Sequence, residues 1–342
     1  MTPAYPPKPR PGDRVAVLSP SSGTPGLFPA VFELGLARLR DELGLEPVEY
    51  PTTRRMGASA QDRARDLMDA FADPTVTAVL ASIGGEDQIT VVPHLSPEVF
   101  RDNPKPFFGY SDNTNLLHFL HDCGVVGYHG GSVMVHLARP ARTHPLSMAS
   151  LRAALFDSGP FELSCPEEFS DETGNWADPA TLEHEPPTRP ATPWRWANPD
   201  TVVDGTAWGG NLEVLQWMMA AGRVGEVDAE ILFLETSEEM PSDVEVYRVL
   251  RCMGERGLLG RFRAVLVGRA KAWDFAQPLS VEDRVAHAAS QRAKVERALA
   301  EYNPDATLVL DLDIGHTDPQ LVLPYGGRVR VDGPQRRITV WY

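Results

Sequence analysis

The chain of 342 residues contains no apolar run approaching the length needed to cross a bilayer, so no membrane span is expected. Cysteine is scarce. Cys123, Cys165 and Cys252 lie far apart and without metal-ligand spacing, which argues against both a disulfide framework and a zinc site. Positive charge is also short, with 32 Lys and Arg against 47 Asp and Glu and a net charge of -15. No basic block interrupts that balance. Nucleic acid and anionic membranes both require clustered Lys and Arg, so neither is expected as a partner. The stretch Met1–Arg10 is proline-rich and lacks the apolar centre of a signal peptide, and a cytoplasmic setting is expected.

What remains is an ordinary globular composition, 42% hydrophobic and 23% charged, in a chain long enough for about two domains. The first part alternates strand and helix signals. Arg14–Ser19, Pro47–Tyr50, Val76–Ile83, Phe107–Tyr110 and Val125–Tyr128 read as strands. Helical patterns run through Phe32–Leu43, Ala60–Phe71, from about Gln88, and from Asn115. Continuous apolar strands alternating with helices predict a parallel sheet covered on both faces, with function at the carboxyl ends of the strands. From about 157 to 200 the pattern dissolves into prolines and acidic residues, which reads as a linker or extended crossing segment. Its tryptophans Trp176, Trp194 and Trp196 are unusual for a plain linker. A second α/β unit follows, with strands at Ala229–Leu234 and Ala264–Gly268, a helix near Asp243–Arg256 and a long charged helix over Val281–Tyr302. Short β signals lie at Leu308–Asp311, Gly327–Val331 and Arg337–Tyr342. The expected division is 1–156, 157–200 and 201–342.

The most telling phrase is Phe107-Phe108-Gly109-Tyr110-Ser111-Asp112-Asn113-Thr114, a strand running into a helix with a serine at the corner. A serine there is pushed out of the strand, beside free N–H groups and the positive end of the helix dipole, which can hold an oxyanion. This is the physics of a nucleophile elbow, although Asn113 stands where G-x-S-x-G has its second glycine. The alternative is that Ser111 only caps the helix. Gly84-Gly85, ending the third strand, can bring backbone N–H groups close to a substrate, or can be an ordinary turn.

A nucleophilic serine needs a base, and the base needs an orienting carboxylate. His316, in the strand-end loop Asp313–Pro319, is the candidate base; otherwise it is a surface-loop histidine. Glu235, directly after Ile231–Leu234, is the candidate acid, because a carboxylate ending a buried strand usually has a specific partner; otherwise it caps the next turn. His118 and His121 sit three apart on a helix without a visible third ligand, so core or helix-surface roles are preferred to metal binding. His129 is a neighbour of the cleft. Cys123 lies toward a helix C-terminus, where a thiolate gains no help.

Taken in order, Ile83-Gly84-Gly85-Glu86-Asp87, Gly109–Asp112, Tyr128-His129-Gly130, Gly209-Gly210-Asn211-Leu212, Leu232–Glu235 and Gly315-His316-Thr317 resemble the LD-carboxypeptidase family of serine peptidases over nearly the whole chain. The resemblance is nearest to the branch containing the microcin C immunity peptidases. It implies a Ser-Glu-His triad of Ser111, Glu235 and His316, with the N–H groups of Gly85 and Asp112 as oxyanion donors. It implies a flavodoxin-like or Rossmann-like N-terminal domain joined to a smaller α/β C-terminal domain, homodimers, and no metal or organic cofactor. The immunity-type branch cleaves the amide between an amino acid and a nucleotide-like group. Murein members instead remove a terminal D-alanine from a cell-wall tetrapeptide. Asp171–Trp176 resembles the loop whose tryptophan stacks on the nucleobase, making Trp176 a substrate-binding candidate, with packing against the linker as the alternative. Asn211 resembles a position lining the substrate pocket. The long stretch between Ser111 and Glu235 favours the immunity-type branch, with a small peptide or aminoacyl-nucleotide as substrate. A non-catalytic two-domain binder is the contrasting reading; it has no need of Ser, Glu and His at three strand ends.

Overall fold

In the computed structural model, which describes residues 3–342, the apolar runs of the first part become β1 (Arg14–Leu18), β2 (Glu46–Glu49), β3 (Val76–Ala81), β4 (Phe107–Gly109) and β5 (Gly127–His129). Met1 and Thr2, at the start of the stretch expected to lack a signal peptide, lie outside the described residues. The five strands are parallel, in the order β5-β4-β3-β1-β2. The connecting helices are α1 (Pro29–Asp41), α2 (Ala60–Ala72), α3 (Pro97–Asp102) and α4 (Thr114–Asp122). Helices on both faces explain why β1, β3 and β4 read as unbroken apolar runs.

The helix expected from Gln88 does not form as such. Two single turns of 3-10 helix, Gln88–Thr90 and Val92–His94, precede the short α3. Pro93 and Pro97 supply no N–H to a continuing helix, and the Gln88 side chain is engaged elsewhere.

After α5 (Pro145–Phe156), the proline-rich stretch contains four short strands, β6 (Pro160–Glu162), β7 (Glu168–Phe169), β8 (Arg189–Pro190) and β9 (Arg195–Ala197). The next strand is β10 (Val202–Asn211), followed by α6 (Leu212–Ala220), β11 (Ile231–Glu235), α7 (Asp243–Glu255), β12 (Ala264–Gly268), α8 (Val281–Tyr302) and β13 (Thr307–Leu312). The chain ends with β14 (Leu323–Tyr325), β15 (Arg328–Asp332) and β16 (Arg337–Trp341). The second sheet has the order β6-β16-β15-β10-β11-β12-β13-β9. Its centre, β10 to β13, is parallel and its flanks are antiparallel. The first half of the long β10 pairs with β15 and its second half with β11. The mixed α/β architecture, a parallel N-terminal sheet and a second sheet in the C-terminal region, is the one expected.

Two strands leave their neighbours in sequence. β6 joins the second sheet beside β16, and β14 returns to the first sheet, antiparallel to β5 with Leu323 opposite His129. Trp194 and Trp196 are accounted for here. Trp196 lies in β9 opposite Val309, and Trp194 Nε1 donates to Asp313 Oδ2 at 3.0 Å. Among the described residues, no helix is long and apolar enough to cross a membrane.

Close approach of β10 and β11 makes one glycine indispensable. Gly209 has φ +152°, and a Cβ on it would stand 1.8 Å from the Phe233 carbonyl oxygen. Backbone on both sides leaves no flexible atom to yield. Gly209→Ala should destabilise the protein by roughly 2–4 kcal/mol, read as a lower urea midpoint at unchanged m-value; an unchanged midpoint would contradict this packing.

Candidate active site

At the carboxyl end of β4 the chain turns sharply. Tyr110 is still extended, but Ser111 has φ +62°, a left-handed conformation rare for a non-glycine residue. Such strain persists only where the surroundings enforce it. Here the enforcement is visible in hydrogen bonds. Asn113 Nδ2 donates to Tyr110 O at 3.0 Å, and Gln88 Nε2 donates to Asn113 Oδ1 at 2.9 Å. Gln88 N donates to Asp112 Oδ2, while Leu116 N donates to Gln88 Oε1, both at 2.9 Å. Asn113 therefore stitches the corner closed, and Gly109 leaves room for it, since a Cβ there would meet Asn113 Cβ at 2.9 Å. Burial pushes the Asp112 carboxyl up to about 6.

Gly84 packs against the same corner. A Cβ on it would lie 2.9 Å from Ser111 Cβ and 3.0 Å from Ser111 Oγ. Gly85 lines the cavity into which Ser111 opens. Among the described residues, no loop or turn hydrogen bond takes up the N–H of Gly85 or of Asp112. Both remain available to an oxygen placed near Ser111.

From the second sheet, Glu235 ends β11 with 1% of its surface exposed. Its Oε2 lies 2.6 Å from His316 Nδ1, which donates to it as N–H. Gly268 at the end of β12 and Gly315 beside His316 make the space, since a Cβ on either would come within 2.8 Å of Glu235 Cβ. The His316 loop is held from several sides. His129 Nε2 donates to Ile314 O at 3.0 Å, and Gln320 Nε2 donates to Gly315 O at 2.9 Å. Arg269 Nε donates to Asp313 Oδ1 at 3.0 Å. His129, expected beside the cleft, is instead fully buried behind it.

Ser111 and His316 line one cavity of about 650 Å³. The imidazole packs 4.7 Å, centroid to centroid, from the ring of Tyr110, the residue before the serine. Ser111 Oγ makes no hydrogen bond to it; Nε2 faces Glu238 Oε2 at 3.4 Å. Burial draws His316 toward its neutral form, but the Glu235 charge and hydrogen bond, with Glu238 and Glu213, outweigh it and hold the pKa at about 9. The Glu238 carboxyl, which burial alone would raise, is held below the usual range by the same ion pair. Glu238 stands inside an open cleft, surrounded by protein yet with its side chain 56% exposed to water.

Asn211 caps α6, accepting from Val214 N at 3.0 Å, and its N–H donates to Thr114 Oγ1 at the start of α4. It also lines the cavity, where its buried Nδ2 has no partner. Trp176 lines the same cavity, edge-on to Phe28 at 5.7 Å. All seven candidate residues apart from Asp112 and Glu235 border the cavity, and those two stand directly behind Ser111 and His316. Sequence reasoning missed Phe28, Glu213, Glu238 and Lys271. Only Glu238 carried a signal, three residues beyond Glu235 on the same strand-end loop.

His118 and His121 do acquire a third neighbour, Asp122, whose donor atoms fall within 4.8 Å of theirs. Yet His118 Nδ1 accepts from Trp208 Nε1, and its Nε2 donates to Arg223 O, both at 3.2 Å. With both nitrogens committed, a core role suits it better than a metal-binding one. Burial raises the Cys123 thiol to about 11, which leaves it unreactive at neutral pH.

Residues 15–130 match the LD-carboxypeptidase N-terminal domain and residues 204–331 the LD-carboxypeptidase C-terminal domain. The chain is 24% identical to the microcin C7 self-immunity protein MccF of Escherichia coli, over 82% of this chain and 78% of that one. It is 27% identical to the murein tetrapeptide carboxypeptidase of Pseudomonas aeruginosa, over 95% and 94%. Structures of MccF with aspartyl sulfamoyl adenosine and with glutamyl sulfamoyl guanosine each superpose with a TM-score of 0.84, covering 99% of both chains, at 22% and 21% identity.

The His316 ion pair sets a measurable titration. Its folded-state pKa lies above the unfolded value of about 6.5, so the stabilisation is complete below that pH and is lost as pH rises through about 9. Imidazole proton resonances should titrate near 9, and Glu238→Gln, by deleting a negative charge, should move that midpoint down. A wild-type midpoint at the ordinary histidine value would contradict the charge arrangement.

Proposed function

The chain belongs to the LD-carboxypeptidase family, and on that premise we propose that it is a serine hydrolase cleaving the amide between an amino acid and a nucleotide-like group. The observation that carries the chemistry is Ser111 at φ +62°, facing the cavity that also receives the Glu235-bound imidazole of His316. A helix cap alone has no need of that conformation.

In the proposed reaction, neutral His316 Nε2 takes the proton of Ser111 Oγ as the oxygen bonds to the scissile carbonyl carbon. Nδ1–H stays on Glu235, which fixes the tautomer and stabilises the imidazolium. The carbonyl oxygen becomes an oxyanion against the N–H groups of Gly85 and Asp112. Collapse breaks the C–N bond, and His316 delivers its proton to the departing nitrogen. Water then gives a proton to His316 and its oxygen to the acyl carbon, and the serine leaves with the proton returned.

The choice of a nucleotide-like leaving group rests on Trp176 and Phe28, two aromatic rings on one wall of the cavity. A base stacked on such a ring gains about 1–3 kcal/mol. The relative MccF, solved with two aminoacyl sulfamoyl nucleosides, supports the same reading. Removal of terminal D-alanine from a muropeptide is the competing activity, and both belong in one assay.

Ser111→Ala should abolish hydrolysis of an aminoacyl sulfamoyl adenosine while circular dichroism and the unfolding midpoint stay near wild type. Turnover comparable to wild type would remove the nucleophile assignment. Trp176→Ala should raise KM for the nucleoside substrate by about 5- to 150-fold, the equivalent of one stacked base, with little effect on an LD-linked muropeptide. Equal effects on both substrates would end its stacking role.

A further inference from the structure

The walls of the cavity near the reacting groups are unusually acidic. Glu86, Glu213, Glu238, Glu239 and Asp274 line it, and among the described residues Lys271 is its one Lys or Arg. That lysine is already committed. Its Nζ donates to Thr173 Oγ1 at 3.1 Å, and Glu238, Asp171 and Asp274 surround its charge. Glu238 has His316 and Lys271 beside it, but Glu239 and Glu213 are not compensated to the same degree. Glu239 is raised by burial and then by repulsion from Glu238 and Glu86, and Glu213 is pushed up to about 7 by burial and the charge of Glu235.

Two buried atoms show where a ligand belongs. At the start of α6, Glu213 Oε1 accepts from the N–H and hydroxyl of Ser237 at 2.8 and 2.7 Å, but Oε2 is buried and has no partner. Two residues earlier, Asn211 is 1% exposed and its Nδ2 donor is equally unmatched. Unpaired buried polar atoms are costly, so a donor and an acceptor left without partners on two residues that line one cavity indicate groups of a bound molecule. Asn211 offers a hydrogen bond to an oxygen. Glu213 asks for a donor, and the neighbouring Glu238 and Glu239 favour one that is charged.

We propose that the acyl half of the substrate carries a basic side chain, an ammonium or guanidinium received by Glu213, Glu238 and Glu239, and that acidic acyl residues are rejected. The proposal rests on the hydrolase reading above and specifies its substrate. Discrimination arises from both signs. A cation relieves the mutual repulsion of these carboxylates, whereas an acidic side chain adds to it.

The test is calorimetric binding of lysyl, leucyl and glutamyl sulfamoyl adenosine to Ser111→Ala protein, which binds without turnover. The expected order is lysyl tightest and glutamyl weakest, with lysyl ahead of glutamyl by about tenfold or more. The gap should narrow in high salt. Glu239→Lys, at an exposed position, should shrink or invert it, and Glu238→Gln gives a second, smaller change of the same sign. Equal affinities, or tighter binding of the glutamyl compound, overturn the proposal while leaving the nucleotide reading intact. If none of the three binds, the nucleotide reading fails, and the side-chain preference is then measured on wild-type hydrolysis of peptides ending in L-Lys-D-Ala and L-Glu-D-Ala. Faster cleavage of the lysyl peptide upholds the proposal there; equal or slower cleavage overturns it.

Discussion

Glu235 ends a buried strand with its carboxylate shut away from water, and its hydrogen bond to His316 Nδ1 is what makes that position tenable. Breaking a buried ion pair by removing one partner typically costs about 3–5 kcal/mol, because the other charge is stranded. The surroundings are shaped to this pair. Gly268 and Gly315, from the two neighbouring strand ends, each give up a side chain that would collide with Glu235. Three strand ends of the second sheet therefore converge on one carboxylate, and the orientation of the imidazole follows from that convergence.

The pair becomes useful because the two sheets are tied at the same place. β14 crosses back to lie beside β5, and His129 at the end of β5 reaches the backbone of Ile314, two residues before His316. On the other flank Gly210 passes so close to Thr114 that a Cβ would stand 2.6 Å from its side chain, and Asn211 N–H donates to the Thr114 hydroxyl. These ties bring the start of α6 against the start of α4. The corner at Ser111, the imidazole and the unpaired atoms of Asn211 and Glu213 consequently open on one cavity although they come from distant parts of the chain.

Much of this was legible in the residues, for identifiable reasons. A serine between an apolar run and a helix start, a glutamate closing an apolar run and a histidine among Gly, Thr and Pro are each local patterns. Parallel sheets place such strand ends on one side. The contacts between sheets were not legible. Nothing in Leu323–Tyr325 announces that it pairs with the first sheet, since a three-residue apolar strand reads the same in either. The helix expected from Gln88 failed because Pro93 and Pro97 interrupt it, and because the Gln88 side chain closes the Ser111 corner instead. Trp194 looked like a linker anomaly until Asp313 supplied its partner. Glu213 had no pattern at all; as the second residue of a helix it is an ordinary N-terminal acid, and only the fold turns it toward the cavity.

The charge state of His316 joins these observations to the proposed chemistry. A general base must be neutral, yet Glu235, Glu238 and Glu213 together favour the imidazolium up to about pH 9. Glu235 cannot be spared, because it orients the ring. Glu238 is different: it is largely exposed, it touches Nε2 where the proposed mechanism delivers the serine proton, and it stands beside Glu239, whose carboxyl is raised by burial and by the charge of its neighbours. In the proposed complex a positively charged side chain draws Glu238 and Glu239 into its own ion pairs. The field that keeps His316 protonated then weakens at the moment the substrate arrives, and Nε2 is freed to face Ser111. A substrate with an acidic side chain does the reverse, strengthening the field on the imidazolium. Selectivity for a basic acyl residue and readiness of the base thus become consequences of one set of carboxylates.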